Sequence, residues 1–255
     1  MAIYSCRNLG LPALNLLRVK GMHILQQLML EERLLRTTSD NWCIINDGTE
    51  DRNIVMGASG RPAELLKIDS VLQDKVAVIR RFTGGGTVIV DHSTVFVSFI
   101  CNKDALPDVQ PYPGPIMSWS SLIYDDVFRQ VGDFSLCENA ANLVGMRNQL
   151  QKHDGYIIHL SSGTLMLVTW PISNFQGPEY RKERDHLEFL CRLRDYLPRS
   201  NFIDRTIHGV ERHFPVEQRG LEAVESRASY IVFKPTSKVV AEQELKEALF
   251  RYQRV

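Results

Sequence analysis

The sequence predicts an α+β fold, a largely antiparallel mixed sheet flanked by helices, on three observations. Short β-rich runs crowd residues 42–100, with Asn, Asp and Gly between them. Helical periodicity marks the segments on both sides of that block. Strands and helices do not alternate strictly, as a parallel βαβ sheet requires. The first helix is read from GMHILQQLMLEERLLR, which sets Ile24, Leu25, Leu28, Leu34 and Leu35 near one face and leaves Glu31, Glu32 and Arg33 for the other, solvated one. Strands follow at WCIIN (42–46), NIVMG (53–57), VAVIRR (76–81), TVIV (87–90) and TVFVSFI (94–100). The proline-rich PYPGP at 111–115 ends this unit, and Ile116, Trp119, Ile123, Val127 and Val131 then recur at helical spacing. Leu187, Leu190, Leu193 and Leu197 predict a helix near 180–197, and Leu245, Ala248, Leu249 and Tyr252 share a face of a closing helix.

Composition excludes little except strong global electrostatics. Thirty basic and thirty acidic residues in 255 leave no net field that would draw the chain to nucleic acid or to a membrane surface. Apolar runs stay short of the ~20 residues that span a bilayer. The cysteines at 6, 43, 101, 137 and 191 form no C-x-x-C pair and read as idle thiols of a reducing compartment. Arg7, Arg18 and Lys20 stand in a first thirty residues without an acid, yet the Ser-rich, Arg-rich pattern of a transit peptide is missing, so a mitochondrial and a cytoplasmic location both stay open.

The stretch VIRRFTGGGTVIV (78–90) sets three consecutive glycines between two β-rich runs, directly after two arginines. Glycines let a ligand approach bare backbone, and successive amides form an anion-binding concavity. Arg80 and Arg81 are neighbours on a strand, so one points inward and the other outward, and a guanidinium suits bidentate contact with phosphate. A glycine-rich hairpin with two solvated arginines is the competing reading, because the segment fits neither standard nucleotide-loop pattern. His92, just beyond, reads as a turn histidine. His208 and His213 form no metal-ligand spacing and read as surface residues.

The order of these features, a helix ending EERLLR, then VMGASGRPAELLKID, then RRFTGGGTVIVDHSTVFVSFI, resembles the lipoate–protein ligase branch of the biotin/lipoate A/B protein ligase family. The likeness covers roughly residues 22–136 and returns at PEYRKERDHLEFLCRLRDYL (178–197) and in the last helix. It implies a catalytic domain like those of class II aminoacyl-tRNA synthetases and biotin ligases over residues 22–200, followed by a C-terminal extension, 201–255, ending in a helix. It implies ATP with Mg²⁺, and lipoate, as co-substrates. The acid would be activated as lipoyl-adenylate and passed to a lysine of a lipoyl carrier domain, in 2-oxoacid dehydrogenases or the glycine-cleavage H protein. By the same likeness, Arg81 would contact the adenylate oxygen. Gly84 and Gly85 would give clearance, the backbone of Gly86, Thr87, Val88 and Ile89 would line the nucleotide, and Gly57 and Ser59 would lie at the acyl-chain pocket. No resident metal site is implied.

The chain departs from the family where a lysine followed by Phe-Gly-Gly-Asn-Ala-Gln should bridge acyl carboxylate and phosphate. After CEN (137–139) it reads AANLVGMRNQLQ, and no lysine occurs between Lys103 and Lys152. With synonymous bases chosen to fit, codons for Asn142–Leu150 read from the third base give Phe-Gly-Gly-Asn-Ala-Gln-Ser-Ile. Ile157–Met166 likewise gives His-Thr-Ser-Phe-Leu-Trp-Asp-Phe-Asp, similar to the family's next strand. A frame-shifted stretch and a genuine loop substitution both account for this. Either way, residues 140–177 are expected to be aberrant and irregular, although Leu165–Val168 suits a substitute strand. Three functional readings follow: an impaired lipoate–protein ligase, a non-catalytic homologue that binds nucleotide or acyl acid, and an ATP-independent octanoyltransferase. A cysteine-dependent form of the last would have Cys137 as the nearest nucleophile.

Overall fold

The computed structural model describes residues 12–84, 86–110, 113–131, 136–139, 142–146, 157–161, 164–168, 196–227 and 233–252. Among these residues, twelve strands and seven α-helices run in chain order as β1 (Leu14–Lys20), α1 (Ile24–Thr37), β2 (Asn41–Asp47), β3 (Asn53–Met56), α2 (Pro62–Leu65), α3 (Ile68–Gln73), β4 (Ala77–Arg80), β5 (Val88–Val90), β6 (Val95–Ile100), α4 (Pro113–Phe128), β7 (Leu136–Asn139), β8 (Asn142–Met146), β9 (Ile157–Ser161), β10 (Thr164–Val168), α5 (Arg199–His213), β11 (Val216–Arg219), α6 (Leu221–Arg227), β12 (Lys238–Val239) and α7 (Glu242–Tyr252). They form one eight-stranded sheet, ordered β11-β1-β2-β6-β10-β9-β8-β7, and one four-stranded sheet, ordered β12-β4-β3-β5. Parallel pairing is confined to β11–β1–β2 and β3–β4; the other ladders are antiparallel. The α+β expectation therefore holds, divided over two sheets.

Strand periodicity explains the layering. Leu14 and Leu16, Cys43 and Ile45, and Val95, Val97 and Phe99 point to one face of the large sheet, where they meet Ile123, Tyr124 and Val127 of α4 and Phe202, Ile203 and Val210 of α5. Leu17, Trp42, Ile44 and Ile100 point to the opposite face, against Leu30 and Leu34 of α1. The same helix turns Ile24 and Leu28 toward Val55, Ile79, Val88 and Val90 of the small sheet. The far side of that sheet is closed by α2, α3 and α7 through Leu66, Ile68, Val71 and Leu245. Helix α1 is thus packed on both sides, which corrects the expected polar face: Glu31 and Glu32 are only 1% and 0% exposed, while Leu35 is 40% exposed.

Other expectations shift as well. Strand β1, LNLLRVK, escaped the sequence reading, although it pairs with β2 over its whole length. Helix α4 begins inside the proline-rich stretch rather than after it, as suits prolines in a first turn where backbone donors have no helical acceptor. The helix expected at 180–197 falls mostly outside the described residues, and the next helix starts at Arg199. Residues 140–177 were expected to be irregular, yet their described parts are the regular strands β8, β9 and β10, and β10 lies beside β6. The rest of that segment lies outside the described residues. The described residues after 200 contribute to both sheets, β11 beside β1 and β12 beside β4, and include α7.

Helices α4 and α5 touch at Gly209, where an added Cβ would come within 3.1 Å of the Ile123 carbonyl oxygen and 3.2 Å of its Cγ2. Gly209→Val drives two methyl groups into that backbone and should lower unfolding free energy by about 2 kcal/mol in urea titration. An unchanged midpoint would mean that the two helices are not held this closely.

Candidate functional site at the glycine turn

Strand β4 carries two arginines out of the small sheet in opposite directions, as a period of two demands. The Arg80 side chain reaches the turn after β3, donating from Nη1 to the carbonyls of Ala58 at 3.0 Å and Gly60 at 2.7 Å, and it lies 3.6 Å from Glu244 of α7. Arg81 turns inward and is only 2% exposed. Its Nε donates to the Gly84 carbonyl at 3.0 Å, and Nη2 donates to Gly84 at 2.7 Å and to Gly86 at 3.3 Å. The guanidinium therefore sits beneath the glycine turn and holds it by its carbonyls.

Peptide geometry converts that grip into an outward display. In a trans unit the carbonyl and the following N–H point opposite ways. With the Gly86 oxygen aimed at Arg81, the Thr87 N–H must face away from the guanidinium. Thr87 Oγ1 beside it is buried and has no hydrogen-bond partner among the described residues. A Cβ built on Gly84 would meet nothing within 4 Å, so open space lies against the turn there. Val88 and Ile89 follow in β5, the edge strand of the small sheet, with both side chains buried. Gly85 lies outside the described residues. Gly57 and Ser59 belong to the turn after β3, which joins the glycine turn through an Ala58 N–H to Thr83 carbonyl bond of 2.8 Å. His92 is exposed in a turn, as expected, whereas His213 is half-buried and its burial holds it below the usual histidine range.

The charge partner of Arg81 is Glu31, which sequence reading had assigned to solvent. Glu31 Oε1 accepts from Ser98 Oγ at 2.5 Å and from Gln27 Nε2 at 2.9 Å, and Gln27 in turn accepts from Asn46 Nδ2 at 2.9 Å. Its other oxygen is buried without a partner. Burial pushes the Glu31 carboxyl up to about 7, against the lowering pull of Ser98, Gln27 and the Arg81 charge. Burial likewise brings Arg81 down to about 10, with Glu31 opposing. Glu32 has the opposite balance: burial raises it, but hydrogen bonds from the Thr236 hydroxyl and the Thr236 and Ser237 amides, together with Arg36, hold it below the usual carboxylate range. The only signal for either acid was their adjacency on one helix. Two successive positions stand about 100° apart, so a helix buried on both sides must cover one or both.

The remaining candidate groups do not converge. Among the described residues no cluster of three His, Cys, Asp or Glu side chains could hold a metal ion, and no helix is long and apolar enough to cross a membrane. Cys43 is buried and Cys101 half-buried, both free thiols whose burial pushes them up, away from the nucleophilic range. The Cys137 side chain lies outside the described residues.

The two-sheet α+β fold is shared with solved lipoate–protein ligases. Residues 23–130 match the lipoyl protein ligase A/B catalytic domain. The chain is 24% identical over 159 residues to the inactive lipoate–protein ligase 2 of Plasmodium falciparum. That match takes in 53% of this chain and only 41% of the relative. Its fold is similar to a bipartite lipoate protein ligase of Thermoplasma acidophilum, solved in a study of that ligase and its E2 lipoyl domain (TM-score 0.63, 15% identity, 86% of this chain and 91% of the other). It is also similar to lipoate-protein ligase A bound with ATP (TM-score 0.61, 16% identity, 86% and 93%) and to LipL1 of P. falciparum in complex with lipoate (TM-score 0.57, 15% identity, 84% and 67%).

Glu31 supplies a pH test. Its carboxyl moves from 4.5 to about 7 on folding, so the stability it adds is complete below pH 4.5 and lost as pH rises through 7. The full difference is worth at most roughly 3 kcal/mol. Between pH 5 and 8 the wild type should lose stability relative to Glu31→Gln, which stays neutral throughout. Parallel urea midpoints for the two proteins across that range would contradict a buried carboxyl.

Proposed function

We propose that the glycine turn receives the phosphate of ATP or of an acyl-adenylate, and that this chain is a lipoate–protein ligase-like protein whose ligation step is impaired. The observation that carries the reading is the seat of the turn on Arg81. A buried cation fixes the carbonyls inward, and the Thr87 amide and orphaned hydroxyl remain for an anionic ligand. Packing within the fold does not explain Gly84, whose missing side chain faces open space, whereas approach of a ligand to the backbone does. Gly85, Val88 and Ile89 line the same nucleotide in this reading, and Gly57 and Ser59 border the acyl chain. Arg81 adds positive potential at the phosphate and reaches its oxygen once ligand competes for the guanidinium.

The family reaction joins lipoate to ATP, releases pyrophosphate and passes the acyl group from AMP to a carrier lysine. Mg²⁺ enters with ATP, and the acceptors are lipoyl carrier domains, in a mitochondrial or cytoplasmic setting. Developing charge at the α-phosphate needs a further cation, and such preorganised charge is worth several kcal/mol in a transition state. No lysine stands in the chain from Asp104 to Gln151 to supply it. The similarity to a relative named as inactive agrees with the loss. A non-catalytic binding role therefore suits this polypeptide, while the octanoyltransferase alternative has no observation in its favour.

Calorimetry with MgATP should show binding to the wild-type chain and about tenfold weaker binding to Arg81→Lys, which keeps the charge but loses the planar fork. Pyrophosphate exchange with ATP and lipoate should be absent. It should appear when a lysine followed by Phe-Gly-Gly-Asn-Ala-Gln is grafted after Asn139. Lipoate-dependent exchange by the unaltered chain would overturn the impairment.

A further inference from the structure

The C-terminal segment reaches the same turn from the opposite direction. Strand β12 pairs antiparallel with β4, Lys238 beside Arg80 and Val239 beside Ile79, and the Val240 N–H donates to the Val78 carbonyl at 2.7 Å. Continued in this register, the ladder would next bring Thr236 beside Phe82, and the two would exchange backbone hydrogen bonds. That exchange is replaced. The Phe82 N–H donates to Ser237 Oγ at 3.1 Å, so a side chain ends the ladder at the first residue of the turn. The Thr236 N–H donates instead to Glu32 Oε2 at 2.8 Å, its hydroxyl donates to Glu32 Oε1 at 2.6 Å, and the Ser237 N–H donates to Oε2 at 3.2 Å. One buried carboxylate on α1 thus collects three donors from two successive residues.

We infer that Glu32, Thr236 and Ser237 form a strap that positions the glycine turn for its ligand, with Ser237 as the positioning residue. This rests on the nucleotide-binding reading above. The small sheet already holds the residues on either side of Phe82, through the Arg81 N–H to Met56 carbonyl bond at 2.9 Å and the Ala58 N–H to Thr83 carbonyl bond at 2.8 Å. Phe82 between them points its N–H the other way, and Ser237 is what meets it. Ser237 is buried, and the Glu32 carboxylate fixes its backbone. Charge-assisted bonds to Glu32 are stronger than the neutral ladder bonds they replace, so the strap leaves the sheet at the place where the turn needs room to curve. An account in which residues after 230 merely close the small sheet does not need the ladder to break here or the carboxylate to be buried.

Hydrogen exchange, thermal unfolding and MgATP calorimetry on the full chain test this together. Ser237→Ala should speed exchange of the Phe82–Thr87 amides about fivefold to tenfold, the effect of one hydrogen bond, with exchange in β2 and β6 unchanged. MgATP affinity should fall by a similar factor. Ser237→Thr, which keeps the hydroxyl, should restore both, and Glu32→Gln should repeat the loss by weakening the strap from its other end. Unchanged exchange in the turn of Ser237→Ala would overturn the strap. So would a rise spread evenly over the protein with a lowered melting temperature. If the wild type binds no MgATP, the nucleotide reading fails by itself, and the exchange data still decide the strap.

Discussion

A buried arginine has to surround its guanidinium with acceptors, and much of the arrangement around the glycine turn follows from that requirement. Desolvating the charge costs several kcal/mol unless oxygens replace the lost water. Gly84 and Gly86 provide two of them as carbonyls and Glu31 provides nearby charge. Carbonyls can converge on one point from such a short loop only where side chains do not obstruct the backbone, and the glycine run meets that condition. The arginine is therefore first a template for the loop and second a source of potential at its outer surface. This order matters for variants. A substitution at Arg81 changes the shape of the site as well as its charge, so the conservative lysine is more informative than removal.

Helix α1 carries the complementary half of the design. Its apolar residues serve two cores at once, with Leu30 and Leu34 on the large sheet and Ile24 and Leu28 on the small one. The polar residues between those stripes have nowhere to reach water. Glu31 consequently enters the network of Gln27, Asn46 and Ser98 under the large sheet, and Glu32 one position on reaches the C-terminal segment. Burial dominates the first and hydrogen bonding the second, so neighbouring acids move in opposite directions from the same ordinary value. Both end at the glycine turn: Glu31 through the charge of Arg81, Glu32 through Ser237.

Much of the central block was legible because its signals are local. Alternating apolar residues marked β2 to β6, and the inward and outward split of Arg80 and Arg81 followed from strand geometry alone. Glu31, Glu32 and Ser237 were not legible. Their roles depend on what covers α1 and on a contact 205 residues away in the chain, which no periodicity encodes. Strand β1 was missed for a related reason. LNLLRVK has no clean alternation because four of its first residues are buried in succession, as happens when a strand is covered on both faces.

The strands β8 to β10 separate fold from chemistry most clearly. They form a meander outward from β6, and a meander asks only for short β-prone runs with turns between them. Many sequences meet that demand, and NLVGM, IIHLS and TLMLV do so. Backbone pairing is thus tolerant of changes in side-chain identity. A catalytic cation is not tolerant in this way, because no backbone group can carry a positive charge to a phosphate. Strands in this half of the large sheet are therefore weak evidence for ligation, because similarity of fold does not by itself imply similarity of chemistry.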